Sequence, residues 1–228
     1  MAMTSILGVA CDNTAHAAGG ELPKPQLDLR ADKEAKPGER HSMIVAGGCF
    51  WCIEGIFEEL DAVADATSGY AGGPKETANY EAVCSGKSGH AEAVKVTYDP
   101  SKITYGELLR VFFTLHDPTT KNAQGPDHGP QYRSAIFPLD DEQKKVAEAY
   151  IRQLTDAKAF NKPITTTIEP IKPEAFYKAE DYHQNYVACN PNQGYIVNVA
   201  LPKIAKVRTK FKDEIKGAAK PATQPASK

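Results

Sequence analysis

The run Ser42-Met43-Ile44-Val45-Ala46-Gly47-Gly48-Cys49-Phe50-Trp51-Cys52 constrains this chain more than any other stretch. Ser42 to Ala46 reads as a buried strand, and the Gly47-Gly48 pair closes it in the way a strand enters a tight turn. Phe50, Ile53, Phe57 and Leu60 then recur at spacings of three and four, so a helix with one apolar face starts at once. A cysteine at the first turn of a helix meets free backbone N–H groups and the positive end of the helix dipole. Such a setting can lower a thiol pKa from about 8.5 to roughly 3.5–7.5. Cys49 is therefore expected to be an active nucleophile. Cys52, one helical turn on, lies within reach of a disulfide to it after modest adjustment.

Two blander readings stand beside this one. A structural zinc site needs four ligands, usually as two spaced pairs, and Cys84, Cys189 and six scattered His residues supply no second pair. Two inert, buried cysteines are the other, against which stand the Gly-rich approach and the adjacent aromatic residues, which suit a pocket.

Further along, Ala91–Tyr98 alternates as a half-buried strand, and Thr104 with Glu107 three later opens a helix through Leu115. Thr119–Gln131 reads as a long structureless loop, which inside a domain is more often functional than filler. Arg133–Leu139 is expected as a strand, Asp140–Ala157 as a helix and Ile164–Ile168 as a Thr-rich strand. Helices over Lys178–Ala188 and Ile204–Ile215 complete the pattern. Strands and helices mixed without regular repetition, and without a dinucleotide fingerprint, predict a two-layer α/β sandwich with a mixed β-sheet.

The expected organisation is a flexible N-terminal segment over 1–41, a catalytic domain over 42–216 and a disordered tail over 217–228. The ends carry Ala, Gly, Pro and charge without periodicity. Ile6–Ala10, ending at Cys11 with Ala15-His16-Ala17 beyond, hints at an export signal. No Lys or Arg precedes it and the apolar stretch is short, so cytoplasmic and exported locations both stay open. With 27 basic and 29 acidic residues, a net charge of −2 gives no electrostatic reason to expect nucleic acid or an anionic membrane as partner. A monomer is the expected state.

Gly48-Cys49-Phe50-Trp51 resembles the signature of the A-type, S-epimer-specific peptide methionine sulfoxide reductases. Four further blocks resemble that family in order: Ser68-Gly69-Tyr70-Ala71-Gly72-Gly73, Gly89-His90-Ala91-Glu92-Ala93-Val94, Asp127-His128-Gly129-Pro130-Gln131-Tyr132-Arg133-Ser134 and Tyr182-His183-Gln184-Asn185-Tyr186. The resemblance spans about Ser42 to Leu201 and implies an α/β roll of ferredoxin-like character. It also implies roles. Phe50 and Trp51 wall off the substrate's S-methyl group, and Glu92, protonated in an apolar setting, gives its proton to the sulfoxide oxygen. Tyr70 and Tyr132 donate hydrogen bonds to that oxygen, Asp127 organises the pocket or holds a water, and His183 lies nearby, as a structural residue in the first instance.

The implied reaction leaves Cys49 as a sulfenic acid, which Cys52 converts to a disulfide. An external dithiol such as thioredoxin then restores the thiols, with no metal or organic cofactor. The substrates would be oxidised proteins or peptides carrying methionine sulfoxide. Many family members resolve the sulfenic acid with a cysteine in a C-terminal Gly-Tyr-Cys segment, whereas Ile196 follows Gly194-Tyr195 here. Cys52 stands where the family often has Gly, which places the chain in a Cys-Phe-Trp-Cys subgroup. Cys189, just before Asn190-Pro191, is a competing candidate for that role, although an unpaired cysteine near a helix end is more often a passive small hydrophobe. The rival readings are a thioredoxin-like disulfide oxidoreductase and a non-catalytic module that binds oxidised methionine.

Overall fold

The computed structural model describes residues 20–29, 36 and 38–217. The export-like segment with Cys11, and the tail after residue 217, lie outside the described residues. Along the chain come β1 (His41–Gly47), α1 (Phe50–Glu58), β2 (Val63–Ala71), α2 (Tyr80–Cys84), β3 (Ala91–Tyr98) and α3 (Tyr105–Leu115). Two-residue strands β4 (Ala123–Gln124) and β5 (Asp127–His128) follow, then β6 (Ser134–Ile136), α4 (Asp141–Asp156), β7 (Thr167–Ile168), β8 (Phe176–Lys178), α5 (Tyr186–Cys189) and α6 (Leu201–Lys210).

Six strands form one mixed sheet in the order β7-β6-β1-β3-β2-β8, antiparallel throughout except for the β6–β7 pair. Strand alternation decides what meets the helices. Met43 and Val45 of β1 and Val94 and Val96 of β3 point to the helix side, where they pack with Phe57, Leu108, Phe112, Phe113 and Tyr150. Ile44, Ala46, Ala91 and Ala93 form a smaller cluster on the other face with Phe137. Burying each large apolar side chain of the helix layer stabilises the fold by about 1.5–3 kcal/mol. Glu92 shares the parity of Val94 and Val96, so the pleat sends a carboxyl group into the apolar layer.

Hydrogen bonds at the ends explain where the helices begin. Asp140 accepts from the Gln143 N–H at 2.7 Å to start α4, and Thr104 accepts from the Glu107 N–H at 3.2 Å to start α3. Asp28 adds a second acceptor at α3, taking the Gly106 N–H at 2.7 Å. That contact belongs to a segment expected to be a loose end. Instead Leu22 is buried in the core, the Tyr150 hydroxyl donates to the Pro23 carbonyl, and Glu21 pairs with Arg110 at 2.7 Å. Arg110 also bonds Glu107 and lies over the Phe211 ring, so α3 is clasped by chain from both ends. Residues 20–29 are therefore part of the body.

Three other expectations are corrected. Val63–Ala71, not anticipated as a strand, is the longest in the sheet. The Thr119–Gln131 loop holds the β4–β5 hairpin, pinned by the Gly129 N–H on the Asn122 carbonyl and by Thr120 on the Ala123 carbonyl. The helix expected over Lys178–Ala188 breaks into β8, a 3-10 turn at Asp181–His183, Asn185 with φ 53°, and the short α5. Gln184 is the cause: its side-chain amide takes the Ser68 N–H and returns a bond to the Ser68 carbonyl, both at 3.1 Å, in place of a further strand partner. Such tertiary bonds outweigh helix propensity, which is at most about 0.7 kcal/mol per ordinary residue.

Between β1 and α1, Gly48 holds φ +92°, and a Cβ there would lie 2.5 Å from Gln124 of β4. Gly48→Ala is expected to lower stability by about 1–3 kcal/mol, read as a reduced urea midpoint at unchanged slope. An unchanged midpoint would mean that the turn tolerates a side chain.

Candidate active site

Helix α1 begins without a side-chain cap: Cys49 occupies the cap position, and no acidic residue lies in the first turn. The partner comes from the sheet. The Phe50 N–H donates to Glu92 Oε2 at 3.0 Å, joining the helix start to β3. Burial pushes the Glu92 carboxyl up to about 8, despite the opposing effect of that N–H, with Asp127 and Cys52 adding to the rise. Near neutral pH the group is mostly a carboxylic acid. It accepts from Phe50 through one oxygen and has an O–H to give from the other.

Cys49 and Cys52 are both buried, in contact and free of a disulfide. The helix terminus favours a thiolate at Cys49, and burial opposes it. Burial pushes the Cys49 thiol well above its ordinary range, and its hydrogen bond to Cys52 adds to the rise. The same bond, received by Cys52, brings Cys52 down to about 7 against the effect of its own burial, with Lys203 contributing. Two thiols in one dry place share a single negative charge, because ionising one opposes ionising the other.

Around the pair stands a set of rings. Trp51 stacks on Tyr186 with centroids 3.7 Å apart and planes 6° from parallel, and Tyr195 meets Trp51 edge-on at 6.1 Å. Phe50 lies 4.9 Å from His183 and 5.9 Å from Tyr70. The Trp51 indole N–H donates to His183 Nδ1 at 3.1 Å, which requires that nitrogen to be unprotonated and leaves the proton of the neutral ring on Nε2. Burial lowers the His183 pKa, and Glu180, 3.9 Å from Nε2, opposes that shift. His183 thus orients Trp51. Glu54, buried one turn beyond Trp51, faces the backbone N–H groups of Asn185, Tyr186 and Ser68, and burial raises its carboxyl to about 7.

Of the residues singled out from the sequence, Cys49, Cys52, Phe50, Trp51, Glu92, Tyr132, Asp127 and His183 converge here. Tyr132, half-buried at the end of the Pro130–Tyr132 turn, feels Glu92, Asp127 and Cys49 in addition to its own burial. Tyr70 is corrected. It lies directly opposite Glu92 across the β2–β3 ladder, but its hydroxyl donates to Glu180 Oε2 at 2.8 Å and is committed there. The other oxygen of Glu180 takes the Tyr80 N–H at 2.9 Å, so Tyr70 and Glu180 fix the start of α2.

Two tyrosines were missed. Burial raises the Tyr80 hydroxyl, and it faces Cys84, Glu92 and Cys49. Its sequence signal was the Asn79 cap, whose side chain accepts the Ala82 N–H and fixes the turn that presents the ring. Tyr195 donates to Asp127 Oδ2 and receives the Cys52 thiol at 3.9 Å. A chain with ten Tyr offered nothing to single it out. Cys84 and Cys189 are exposed, and among the described residues no group of three His, Cys, Asp or Glu is placed to hold a metal ion.

Comparison with known proteins places this constellation. Residues 41–215 match the family described as peptide methionine sulfoxide reductase. The peptide methionine sulfoxide reductase MsrA 2 of Mesorhizobium japonicum is 51% identical over 181 residues, which cover 79% of this chain and 91% of the relative. MsrA of Deinococcus radiodurans is 50% identical over 182 residues, covering 79% and 87%. Among solved structures, the reduced form of Mxr1 from Saccharomyces cerevisiae superposes with a TM-score of 0.62 at 39% identity, over 69% of this chain and 90% of that one. Methionine sulfoxide reductase A of Corynebacterium diphtheriae gives 0.59 at 32% identity, over 81% and 92%. These agree with the expected mixed α/β sandwich and leave the thioredoxin-like reading without support. The chain belongs to the peptide methionine sulfoxide reductases of the A type, enzymes that reduce methionine sulfoxide to methionine.

Proposed function

We propose that this enzyme reduces methionine-S-sulfoxide, in peptides and proteins and as the free amino acid, with Cys49 as nucleophile and Cys52 as resolving thiol. The observation that carries the reading is the bond from the Phe50 N–H to Glu92, which holds a buried carboxylic acid beside the nucleophile's own backbone. Cys52 takes the Cys49 proton through the bond they share, which moves the charge to the attacking sulfur. The Cys49 thiolate attacks the sulfoxide sulfur while Glu92 gives its proton to the oxygen. The S–O bond of the substrate breaks, methionine leaves, and Cys49 carries the oxygen as a sulfenic acid.

Tyr132 and Tyr80, both close enough to feel Glu92 and Cys49, donate hydrogen bonds to the oxygen as it gains charge. The ring set of Phe50, Trp51 and Tyr186 supplies the apolar wall against which the S-methyl group packs. Cys52 then displaces hydroxide from Cys49, forming the disulfide and water. An external dithiol, thioredoxin or an equivalent, returns both thiols by exchange. No prosthetic group is needed for these steps.

Given N-blocked methionine sulfoxide as both sulfur epimers with dithiothreitol, the enzyme is expected to consume the S epimer alone, and Cys49→Ser neither. Consumption of both epimers, or activity in the variant, would sink the reading. Cys52→Ser should release one methionine per enzyme and then stall with thioredoxin as donor; turnover at the wild-type rate would remove Cys52 from the mechanism.

Glu92→Gln should cut kcat about 10²–10⁴-fold, as loss of a positioned proton donor does. The wild-type rate should itself fall as pH rises through about 8, where Glu92 ionises. Its folded pKa lies above the ordinary value of 4.5, so burying it costs nothing below pH 4.5 and progressively more up to about 8. Glu92→Gln is therefore expected to gain Tm relative to wild type as pH increases over that window. A constant difference between the two Tm curves would show that the carboxyl is already ionised in the fold.

A further inference from the structure

Tyr195 has no part in the steps above, yet its hydroxyl sits between the second cysteine and a carboxylate. The Cys52 thiol donates to Tyr195 Oη at 3.9 Å, and Tyr195 O–H donates to Asp127 Oδ2. Each bond runs in the direction that carries a proton from sulfur to carboxylate. The donor and acceptor come from separate segments: Asp127 from the β4–β5 hairpin, and Tyr195 from the chain that leads into α6.

The C-terminal arm is built to hold that position. Ile196–Ala200 forms one widened π-type turn before α6, where Pro202 lacks the N–H that an ordinary helix would give to the Asn198 carbonyl. Ile196, Ala200, Ile204 and Val207 are buried. Gly55 of α1 lets the arm come close: a Cβ there would meet Ile204 at 3.1 Å and Val187 at 3.2 Å. The arm thereby fixes the Tyr195 ring edge-on to Trp51 and brings the Lys203 ammonium near enough to favour negative charge on Cys52 and Asp127.

We infer that Tyr195 and Asp127 form a proton relay dedicated to the resolving step, with Lys203 as a positioning residue that stabilises the charge the relay leaves behind. The inference rests on the proposed Cys49–Cys52 chemistry. After the first step Cys52 holds the proton taken from Cys49, and it cannot attack until that proton goes. It passes to Tyr195 Oη as the Tyr195 proton passes to the Asp127 carboxylate. The Cys52 sulfur then bonds to the Cys49 sulfur, the Cys49 S–O bond breaks, and the departing hydroxide takes one proton from solvent to leave as water while Asp127 gives its proton back to solvent. The proton lost by Cys52 equals the one gained by hydroxide, so the step is balanced without an added oxidant or reductant. Desolvation raises the Asp127 carboxyl above its ordinary range, which makes it a better proton acceptor than an exposed aspartate. The groups facing Cys52 are Cys49 on its own helix, Asp127 on β5, Tyr195 in the arm, Lys203 on α6 and Glu92 on β3.

The test is a single turnover of the full-length enzyme with methionine-S-sulfoxide and no reductant. Methionine release is followed by chromatography, and Cys49 sulfenic acid by its dimedone adduct. Disulfide formation is followed by peptide mass spectrometry over about pH 5.5–9, a range that brackets the ordinary thiol pKa of about 8.5. In Tyr195→Phe, which keeps the ring against Trp51, disulfide formation is expected to slow about tenfold or more relative to methionine release, as loss of a general base does. The dimedone-trappable species should accumulate. Asp127→Asn should do the same without adding to the effect of Tyr195→Phe. Lys203→Met should move the pH midpoint of disulfide formation upward, and Lys203→Arg should restore it.

Equal slowing of both steps in Tyr195→Phe, or an unmoved pH profile in Lys203→Met, overturns the relay while leaving the proposed chemistry standing. Wild-type enzyme that releases methionine but forms no Cys49–Cys52 disulfide overturns the relay and the resolving assignment together. No methionine release at all overturns the whole reading of the site.

Discussion

The hydrogen bond from the Phe50 N–H to Glu92 is the constraint on which the rest of the site depends. A helix start leaves backbone donors without partners, and an uncapped one inside a protein must find an acceptor from elsewhere in the fold. Here the acceptor is a carboxyl that the pleat of β3 turns into the apolar layer, opposite Tyr70 on β2. One bond thus does three things. It satisfies the start of α1, gives a buried polar group a partner, and sets an acid next to the cysteine that occupies the cap position. Gly47 and Gly48 serve the same end: a Cβ on Gly47 would lie 2.8 Å from the Phe112 ring, and one on Gly48 2.5 Å from Gln124. The strand-to-helix turn can be this tight only without side chains, and its tightness is what brings α1 down onto β3.

Burial then works in opposite senses on two groups in the same pocket. It keeps Glu92 protonated, as a proton donor must be, and it makes the Cys49 thiol hard to ionise, as a nucleophile should not be. The second cysteine relieves the conflict. A negative charge held on Cys52, close to Lys203 and hydrogen-bonded by its neighbour, stays in reserve one hydrogen bond away from the attacking sulfur. In the proposed reaction the first-turn position of Cys52 therefore matters before the disulfide forms as well as after, because there the residue serves as a base for Cys49 and later as its resolver.

How much of this was legible in the sequence follows from the range of the interactions involved. The strand-turn-helix around Cys49, the β3 alternation that aims Glu92 inward and the capped helices at Thr104 and Asp140 rest on contacts within a few residues, and the sequence pattern carries them. Tyr70 and Tyr80 could not be sorted the same way. The Tyr70 hydroxyl is taken by Glu180, 110 positions away, and nothing local to either tyrosine records that bond. The broken helix around His183 has the same origin, since Gln184 answers to Ser68, 116 positions away. The chain before His41 looked loose because its contacts with Thr104, Arg110 and Tyr150 involve isolated polar residues without any period.

The C-terminal arm shows how a change at one position alters what another must do. In family members that carry the resolving cysteine in a C-terminal Gly-Tyr-Cys segment, that segment has to supply the second thiol. With the second thiol already in the first turn of α1, and Ile196 in place of a cysteine after Tyr195, the arm is free of that duty and can pack as a helix. Its buried face of Ile204, Val207 and Phe211 fixes it against the body, with Gly55 opening the space on α1. A fixed arm can hold a tyrosine against an aspartate beside Cys52, which a segment that swings in and out could do only part of the time. With both cysteines on one helical turn, the proposed relay needs only a proton transfer along the Cys52–Tyr195 and Tyr195–Asp127 hydrogen bonds, and the buried packing of the arm is what holds the two in line.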